Sequence, residues 1–133
     1  MKFNIVTVPG DGIGPDIIRE AIVSLNRVGE IYGHEFAFTE KPAGGIAIDT
    51  CGCPLPEDTV EACKKSDSVL LGAVGGPKWG HSTDPEQRPE TALLSIRKDL
   101  GLYANLRPAA LRPALADACP LKKEIIGDGF DMV

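Results

Sequence analysis

The fold class is decided by residues 3–18, FNIVTVPGDGIGPDII, near the start of the 133-residue chain. The apolar run from Phe3 to Val8 ends at a Pro-Gly turn, which predicts a short buried β-strand. Pro15 suits the first turn of a helix, because its missing N–H would have no helical partner there. Apolar residues then recur at helical spacing as far as Val28, and Gly33 is a plausible stop. A strand, a glycine turn and a helix in this order are typical of an α/β protein.

The same alternation continues along the chain. It predicts two further strands, Glu35–Glu40 and Val69–Val74. Each is followed by a predicted helix, Glu57 to about Lys65 after the first and Glu90–Leu100 after the second. Strands that alternate with helices favour a largely parallel sheet. We therefore expect an α/β fold with a mixed, mostly parallel sheet flanked by helices.

The C-terminal part is less regular. Tyr103 to Arg107 should be extended, because Pro108 disfavours a helical conformation at the residue before it. Residues 109–118 contain further prolines and are interpreted as a connector with some strand character. Phe130 to Val133 has the pattern of a strand that is just beginning. We expect from this pattern that the chain is truncated and stops before the protein is complete.

Composition excludes several classes of protein. The hydrophobic fraction of 43% and the charged fraction of 25% are typical of a globular domain. A net charge of −5 provides no basic surface for nucleic acid. No segment approaches the roughly 20 apolar residues needed to span a bilayer. Cys51 and Cys53 are too close for the usual Cys-x-x-Cys spacing, which favours reduced thiols over a metal site.

Two glycine clusters follow predicted strands. The first, Gly10 to Gly14, does not have the G-x-G-x-x-G spacing of a dinucleotide fingerprint. It is either a tight strand-to-helix turn or a place where the backbone approaches an anionic ligand. The second, Gly72, Gly75 and Gly76, lies at the carboxyl end of a buried strand, where open α/β sheets bind ligands. The long loop from residue 75 to residue 89 supports a functional role for this second cluster.

The most informative feature is the helix after that loop. One of its faces carries an acid, two leucines and an arginine at positions i, i+3, i+4 and i+7, namely Glu90, Leu93, Leu94 and Arg97. A different face carries Ala92, Ile96 and Leu100, which we expect to pack on the sheet. The first face suits a ligand with a branched alkyl group and a carboxylate. The alternative is a partly exposed face whose Arg97 reaches solvent or pairs with Glu90.

A second arginine, Arg107, follows this helix after a short turn through Gly101. The guanidinium groups of Arg97 and Arg107 could therefore converge on one ligand. Arginine can bind a carboxylate with two parallel hydrogen bonds, so each of the two residues is suited to a carboxylate ligand. Asn105 is a weaker candidate for a polar contact. The alternative for Arg107 is a surface arginine on an edge strand.

These residues resemble the isocitrate/isopropylmalate dehydrogenase family. The resemblance covers the whole chain and rests on four motifs that agree in sequence and spacing, Pro9–Pro15, Gly72–Trp79, Arg88–Lys98 and Asn105–Pro108. Within the family it points to the branch that acts on 3-isopropylmalate in leucine biosynthesis. Leu93 and Leu94 favour an isopropyl substituent, because burying a charged substituent beside leucines is costly.

The resemblance implies an NAD-dependent oxidoreductase. It would oxidise the substrate's 2-hydroxyl and then remove a carboxylate with the help of Mg²⁺ or Mn²⁺ acting as a Lewis acid. The family resemblance also implies a cytoplasmic homodimer. Arg97 and Arg107 would bind the malate carboxylates, and Leu93 and Leu94 the isopropyl group. Glu90 would lie at the substrate near the nicotinamide ribose. The cofactor would be bordered by Ile13 and by Gly76, Pro77, Lys78, Trp79, Gly80, His81, Ser82, Thr83, Asp84, Pro85, Glu86, Gln87, Arg88, Pro89 and Glu90.

The resemblance also implies what this chain lacks. Residues 1–105 would form the N-terminal part of the cofactor-side domain, and residues 106–133 the start of a dimerisation domain. The family's catalytic lysine and metal-binding aspartates would lie beyond Val133, so no catalytic or metal-binding residue is expected within the chain. We therefore expect the chain alone to be inactive. The alternative is a non-catalytic fragment that binds a small dicarboxylate or another protein. The family often has an acid after the tryptophan, and Gly80 and His81 depart from that pattern.

Overall fold

A computed structural model describes residues 1–79, 84, 87–127 and 129–133. The chain divides into two compact units, Met1–Leu102 and Tyr103–Val133. The boundary predicted at residues 105 and 106 concerns the functional domains of the family, and it stays a prediction.

The first unit is an α/β structure built on a parallel sheet. Its elements are β1 (Lys2–Gly10), α1 (Gly14–Tyr32), β2 (Glu35–Glu40), α2 (Gly45–Cys51), α3 (Glu57–Lys65), β3 (Ser68–Ala73) and α4 (Pro89–Asp99). The strand order is β2-β1-β3, and β1 pairs in parallel with both neighbours. The predicted fold class and the predicted strands and helices are confirmed, with boundaries that differ by a few residues at most.

The central strand β1 carries the core. Ile5, Val6, Thr7 and Val8 are all buried, although alternate residues point to opposite faces of a sheet. Both faces of β1 are therefore covered, as parallel sheets require. Helix α1 contacts all three strands, and α3 and α4 contribute Cys63, Ala92 and Ile96 to a cluster with Val6 and Val8.

Helix α1 begins and ends where its sequence predicts. A proline occupies its first turn. The helix stops at Gly33, which adopts a left-handed conformation with φ of 69° and donates its N–H to the carbonyl of Gly29. A residue with a Cβ is disfavoured in that conformation, so glycine is the natural C-terminal cap.

Helix α2 was not predicted. It follows Gly44, whose φ of 83° is typical of a loop, and no neighbouring side chain caps its first turn. The cap comes instead from Asp11, which lies 34 residues before Gly45. A helix whose cap is so distant in sequence has no local start signal.

The second unit contains little regular structure. A two-residue strand β4 (Ala109–Ala110) pairs antiparallel with β5 (Asp131–Met132), and between them lie a 3₁₀ helix (Pro113–Ala118) and the short α5 (Lys123–Ile126). The strand character predicted for residues 109–118 is thus confined to β4. Tyr103 to Arg107 lie outside any helix or strand, and no described residue of this unit is buried. Among the described residues of the whole chain, no helix has the length and apolarity needed to cross a membrane.

Candidate functional site

Two loops meet at the carboxyl edge of the parallel sheet. Because β1 and β3 are parallel neighbours, the loop after β1 (residues 10–14) and the loop after β3 (residues 74–79) leave from the same edge. The backbone N–H of Asp11 donates to the carbonyl of Ala73 at 2.6 Å, which joins the two loops directly. In open α/β sheets this edge is where ligands bind.

The buried carboxylate of Asp11 organises this edge. Its Oδ2 accepts hydrogen bonds from the N–H groups of Gly45 and Gly75, both at 2.8 Å, and its Oδ1 accepts one from Ile46 at 2.7 Å. Only 3% of the residue is exposed. Asp11 therefore caps α2 and fixes the start of the loop after β3. Sequence reasoning included it in the first glycine cluster but assigned it no role.

The first glycine cluster is a tight turn where it touches the sheet. A Cβ on Gly10 would lie 2.1 Å from the carbonyl oxygen of Ala73, and one on Gly14 would lie 2.0 Å from that of Pro9. These contacts leave no room for a side chain, so packing explains both glycines. Gly12 has open space around it, and the neighbouring Ile13 is 61% exposed.

Glu90 lies against the loop after β3. A Cβ built on Gly75, whose φ is 104°, would be 2.8 Å from Oε1 of Glu90. Glu90 is exposed and stands in the first turn of α4. The structure thus brings Asp11, Gly75 and Glu90 together, with the buried carboxylate beneath the glycine and the exposed one beside it.

Helix α4 has the two faces that its sequence predicts. Ala92 and Ile96 are buried and Leu100 packs against the same core cluster, so the packing prediction is confirmed. Leu94 is 67% exposed, while Leu93 and Arg97 are half-buried. These residues and Glu90 are therefore outside the core and accessible to a ligand.

The alternative in which Arg97 pairs with Glu90 is not supported. Seven residues of α-helix rise about 10 Å, which is too far for a direct ion pair along the helix. Within the part of the chain that the structure describes, no salt bridge joins the two side chains.

Arg107 belongs to the second unit. It is exposed, and its Nε donates to Oδ1 of Asn105 at 3.3 Å. The predicted contact of Asn105 with a ligand stays a prediction. The predicted convergence of Arg107 with Arg97 stays a prediction, since the two arginines lie in different units.

Comparison with known proteins identifies the family. Residues 4–133 match the family described as isocitrate/isopropylmalate dehydrogenase. The chain belongs to this family. The 3-isopropylmalate dehydrogenase of Clostridium pasteurianum is 55% identical over 132 residues, which make up 99% of this chain and 37% of that relative. The chain thus spans little more than a third of the length of the curated relatives it matches.

Solved structures agree with this assignment. A β-decarboxylating dehydrogenase from Thermococcus kodakarensis, in its apo form, has a TM-score of 0.64 and 35% identity, and the match covers 80% of this chain and 29% of that one. A protein from Thermus thermophilus has a TM-score of 0.69 and 27% identity, covering 97% of this chain and 23% of that one. Both proteins share the fold of this chain, and the first is described as a β-decarboxylating dehydrogenase.

The structure describes only some of the residues that are predicted to border the cofactor. Gly80, His81, Ser82, Thr83, Pro85 and Glu86 lie outside the described residues. Pro89 is fully buried in the packing of α4, and Gln87 donates from Nε2 to the carbonyl of Gly52 at 3.5 Å. Asp84 and Arg88 are exposed. Lys78 and Trp79 both contact Asp49 of α2, a residue that sequence reasoning did not select.

The described residues do not form the divalent-metal site that family membership implies. Within residues 1–79, 84, 87–127 and 129–133, no group of three or more His, Cys, Asp or Glu residues is placed to hold a metal ion. The four cysteines are free thiols, and burial raises the pKa of the Cys63 thiol.

Proposed function

We propose that this chain supplies a substrate-recognition surface and part of the cofactor-binding surface of a 3-isopropylmalate dehydrogenase. The whole enzyme would oxidise and decarboxylate 3-isopropylmalate with NAD in leucine biosynthesis. The observation that carries this proposal is the outer face of α4. Its leucines and Arg97 stay accessible, while Ala92 and Ile96 anchor the same helix in the core.

Each part of this face has a chemical counterpart in the acid. The half-buried guanidinium of Arg97 would bind a malate carboxylate, and the exposed guanidinium of Arg107 would bind the second. Leu93 and Leu94 would contact the isopropyl group. A carboxylate-bearing substituent is disfavoured there, because desolvating a charge beside leucines is costly.

On the cofactor side, this chain would border one edge of a dinucleotide. Glu90 presents an exposed carboxylate beside Gly75, and a carboxylate acceptor suits the hydroxyl groups of a ribose. NAD, when bound, would supply the hydride acceptor. The residues described here would bind and orient, whereas the catalytic lysine and the ligands for Mg²⁺ or Mn²⁺ are proposed to lie in the part of the family fold beyond this chain. The cytoplasmic location and the homodimer stay predictions.

Binding can be measured directly on the chain. Titration of nitrogen-15-labelled protein with 3-isopropylmalate should shift the amide signals of Leu93, Leu94 and Arg97. Replacing Arg97 with alanine should weaken the acid's affinity by roughly tenfold to a hundredfold, since a hydrogen bond to a charged group contributes about 1.5–3 kcal/mol. Arg19→Ala is the matched control, because Arg19 is exposed on α1 and already pairs with Asp16. If Arg97→Ala binds the acid as well as the unmodified chain does, the role given to α4 is wrong.

Two further measurements separate the rival functions. The chain incubated with 3-isopropylmalate, NAD and Mn²⁺ should produce no NADH, and any production would contradict the proposed absence of catalytic groups. A non-catalytic dicarboxylate-binding module would respond to the acid but not to NADH. A half-site of the dehydrogenase should respond to both.

A further inference from the structure

The indole of Trp79 lies on the first turn of α2. A Cβ on Gly45 would be 2.4 Å from Cδ2 of this indole, so only a glycine leaves space for the ring. Asp49 is four residues after Gly45 and therefore lies on the same face of the helix, one turn later. Together these two residues of α2 form a seat for Trp79.

Asp49 binds two residues of the loop after β3, Lys78 and Trp79. Its Oδ2 accepts a hydrogen bond from Nζ of Lys78 at 2.5 Å, and its Oδ1 accepts one from Nε1 of Trp79 at 3.3 Å. The Lys78 ammonium also lies 5.1 Å from the centre of the Trp79 ring, within the range of a cation–π contact. The side chain of Asp49 is 35% exposed. One carboxylate thus attaches the loop through an ion pair and an indole hydrogen bond.

The same helix holds the loop at a second point. Asp11 caps the N-terminus of α2 and, through Oδ2, also binds the N–H of Gly75 at the start of the loop. The loop is therefore attached at Gly75 by Asp11 and at Lys78 and Trp79 by Asp49. A segment that is ordered in the free protein does not have to lose that conformational entropy when a ligand binds.

We propose that Asp49 is a positioning residue, which holds Lys78 and Trp79 on α2 so that the loop is preorganised for the dinucleotide. This inference rests on the proposed NAD-bordering role of the loop. Asp49 acts through Lys78 and Trp79, and no direct contact with the cofactor is required of it.

A matched control exists on α3. Asp58 forms an ion pair with Lys41 at 2.8 Å, and its exposed carboxylate lies in the first turn of α3. In both pairs the lysine hydrogen bond lowers the pKa of the aspartate. Asp58 does not touch Trp79, so Asp58→Ala removes a comparable ion pair without affecting the loop.

Trp79 is the single tryptophan of the sequence, so its indole N–H gives one unambiguous resonance and its fluorescence reports on this loop alone. In the free chain, Asp49→Ala should shift the indole signal and raise collisional quenching of Trp79, because the indole loses the hydrogen bond that holds it against α2. Asp58→Ala should leave both signals unchanged. Asp49→Glu keeps a carboxylate acceptor, so its indole signal and quenching should lie closer to those of the unmodified chain than those of Asp49→Ala do.

NADH titration then tests the positioning role. Asp49→Ala should weaken NADH binding by roughly two- to fivefold, with a melting temperature that matches Asp58→Ala. An unchanged indole signal in Asp49→Ala would overturn the seat itself, whatever NADH does. A changed indole signal with unchanged NADH affinity would overturn the positioning role. If the unmodified chain binds no NADH, the proposed function fails and the role of Asp49 toward the cofactor fails with it, whereas the indole signal still reports separately on the seat.

Discussion

The Asp11 carboxylate accepts three backbone hydrogen bonds from two segments that are far apart in sequence. A buried charge is costly unless it is satisfied by hydrogen bonds, and here the N–H groups of Gly45, Ile46 and Gly75 satisfy it. In turn, Asp11 provides acceptors for N–H groups that α2 cannot satisfy internally. Both carboxylate oxygens of Asp11 are therefore needed as hydrogen-bond acceptors at this position.

Replacement of Asp11 should destabilise the chain even when the new side chain has the same shape. Asp11→Asn retains one oxygen but turns an N–H₂ donor toward a backbone donor, so we expect it to be nearly as harmful as Asp11→Ala. Both should lower the free energy of unfolding by about 2–4 kcal/mol, since each unsatisfied buried group costs about 1–3 kcal/mol. Urea denaturation followed by circular dichroism measures this.

Asp16→Asn is the control for that measurement. Asp16 pairs with Arg19 on the surface of α1, where the aspartate side chain is 56% exposed. We expect a change within about 0.5 kcal/mol, as is usual for exposed ion pairs. A similar loss of stability in Asp16→Asn and Asp11→Asn would contradict the role of Asp11 as a central acceptor.

The structural role of a residue can be predicted from sequence when the residue constrains its own backbone or that of its neighbours in the chain. Pro15 and Gly33 constrain their own backbone, so their effect on α1 was evident from sequence. Asp11 acts on residues 34 to 64 positions away, and nothing next to it indicates which N–H groups it will meet. A tight turn was one of the two interpretations of the glycine cluster, but Asp11 within it was not identified as a cap.

At the scale of elements, α4 separates stability from recognition. Its buried residues hold the helix on the sheet, and its accessible residues are available to a ligand. Ile96→Ala should therefore reduce the free energy of unfolding by about 2–4 kcal/mol, the usual cost of truncating a buried isoleucine. Leu94→Ala, at a residue that is 67% exposed, should cost less than about 1 kcal/mol yet weaken binding of 3-isopropylmalate. Unfolding and binding should be measured on both variants. If Leu94→Ala destabilises the chain more than Ile96→Ala does, the assignment of stability to the buried face of α4 is wrong.

The attachment of the loop to α2 should depend on pH. The hydrogen bond from Lys78 holds the pKa of Asp49 below its ordinary value of 3.8. A lowered pKa in the folded state means that this contribution is complete above the ordinary value and is lost as pH falls through the lowered one.

The Trp79 indole resonance should therefore be constant from neutral pH down to about pH 4 and change only in stronger acid. Asp49→Asn should remove that transition, and Asp58→Asn should retain it. A transition of the indole signal centred well above the ordinary aspartate range would show that some other group controls the loop.

Elements whose signals are local were predictable, and α2 was not. The apolar spacing of α1 and α4 and the acidic first turn of α3 all lie within the helix concerned. Helix α2 has seven residues, begins at a glycine and takes its cap from another loop. The seat for Trp79 escaped prediction for the same reason, since Asp49 and Trp79 are 30 residues apart.

At the scale of the molecule, the buried core lies entirely in the first unit. The buried apolar residues run from Ile5 to Ile96, while no described residue from Tyr103 to Val133 is buried. Hydrophobic burial is the main favourable contribution to folding. A chain ending at Leu102 should therefore melt within a few degrees of the 133-residue chain, and a peptide of residues 103–133 should lack a cooperative transition. Calorimetry of the three samples measures this, and a large loss of stability in the shorter chain would contradict it.

The parallel sheet and its helices were predictable at this scale because alternation of apolar strands and amphipathic helices permits few arrangements. The approach of loops 10–14 and 74–79 followed from the rule that parallel strands present their carboxyl ends at one edge. The detailed links across that edge were not predictable, because they depend on the Asp11 carboxylate and on backbone groups far from it in sequence.

The distant cap of α2 also has a consequence for the order of folding. Seven residues are too few for a helix to persist in isolation, so residues 45–51 should be unstructured until the loop after β1 delivers the Asp11 carboxylate. Pairing of β1 with β3 must come first, because it places that loop. Amides of α1 should therefore gain protection from hydrogen exchange before those of α2 during refolding, and mutations within α2 should accelerate unfolding while leaving the folding rate almost unchanged.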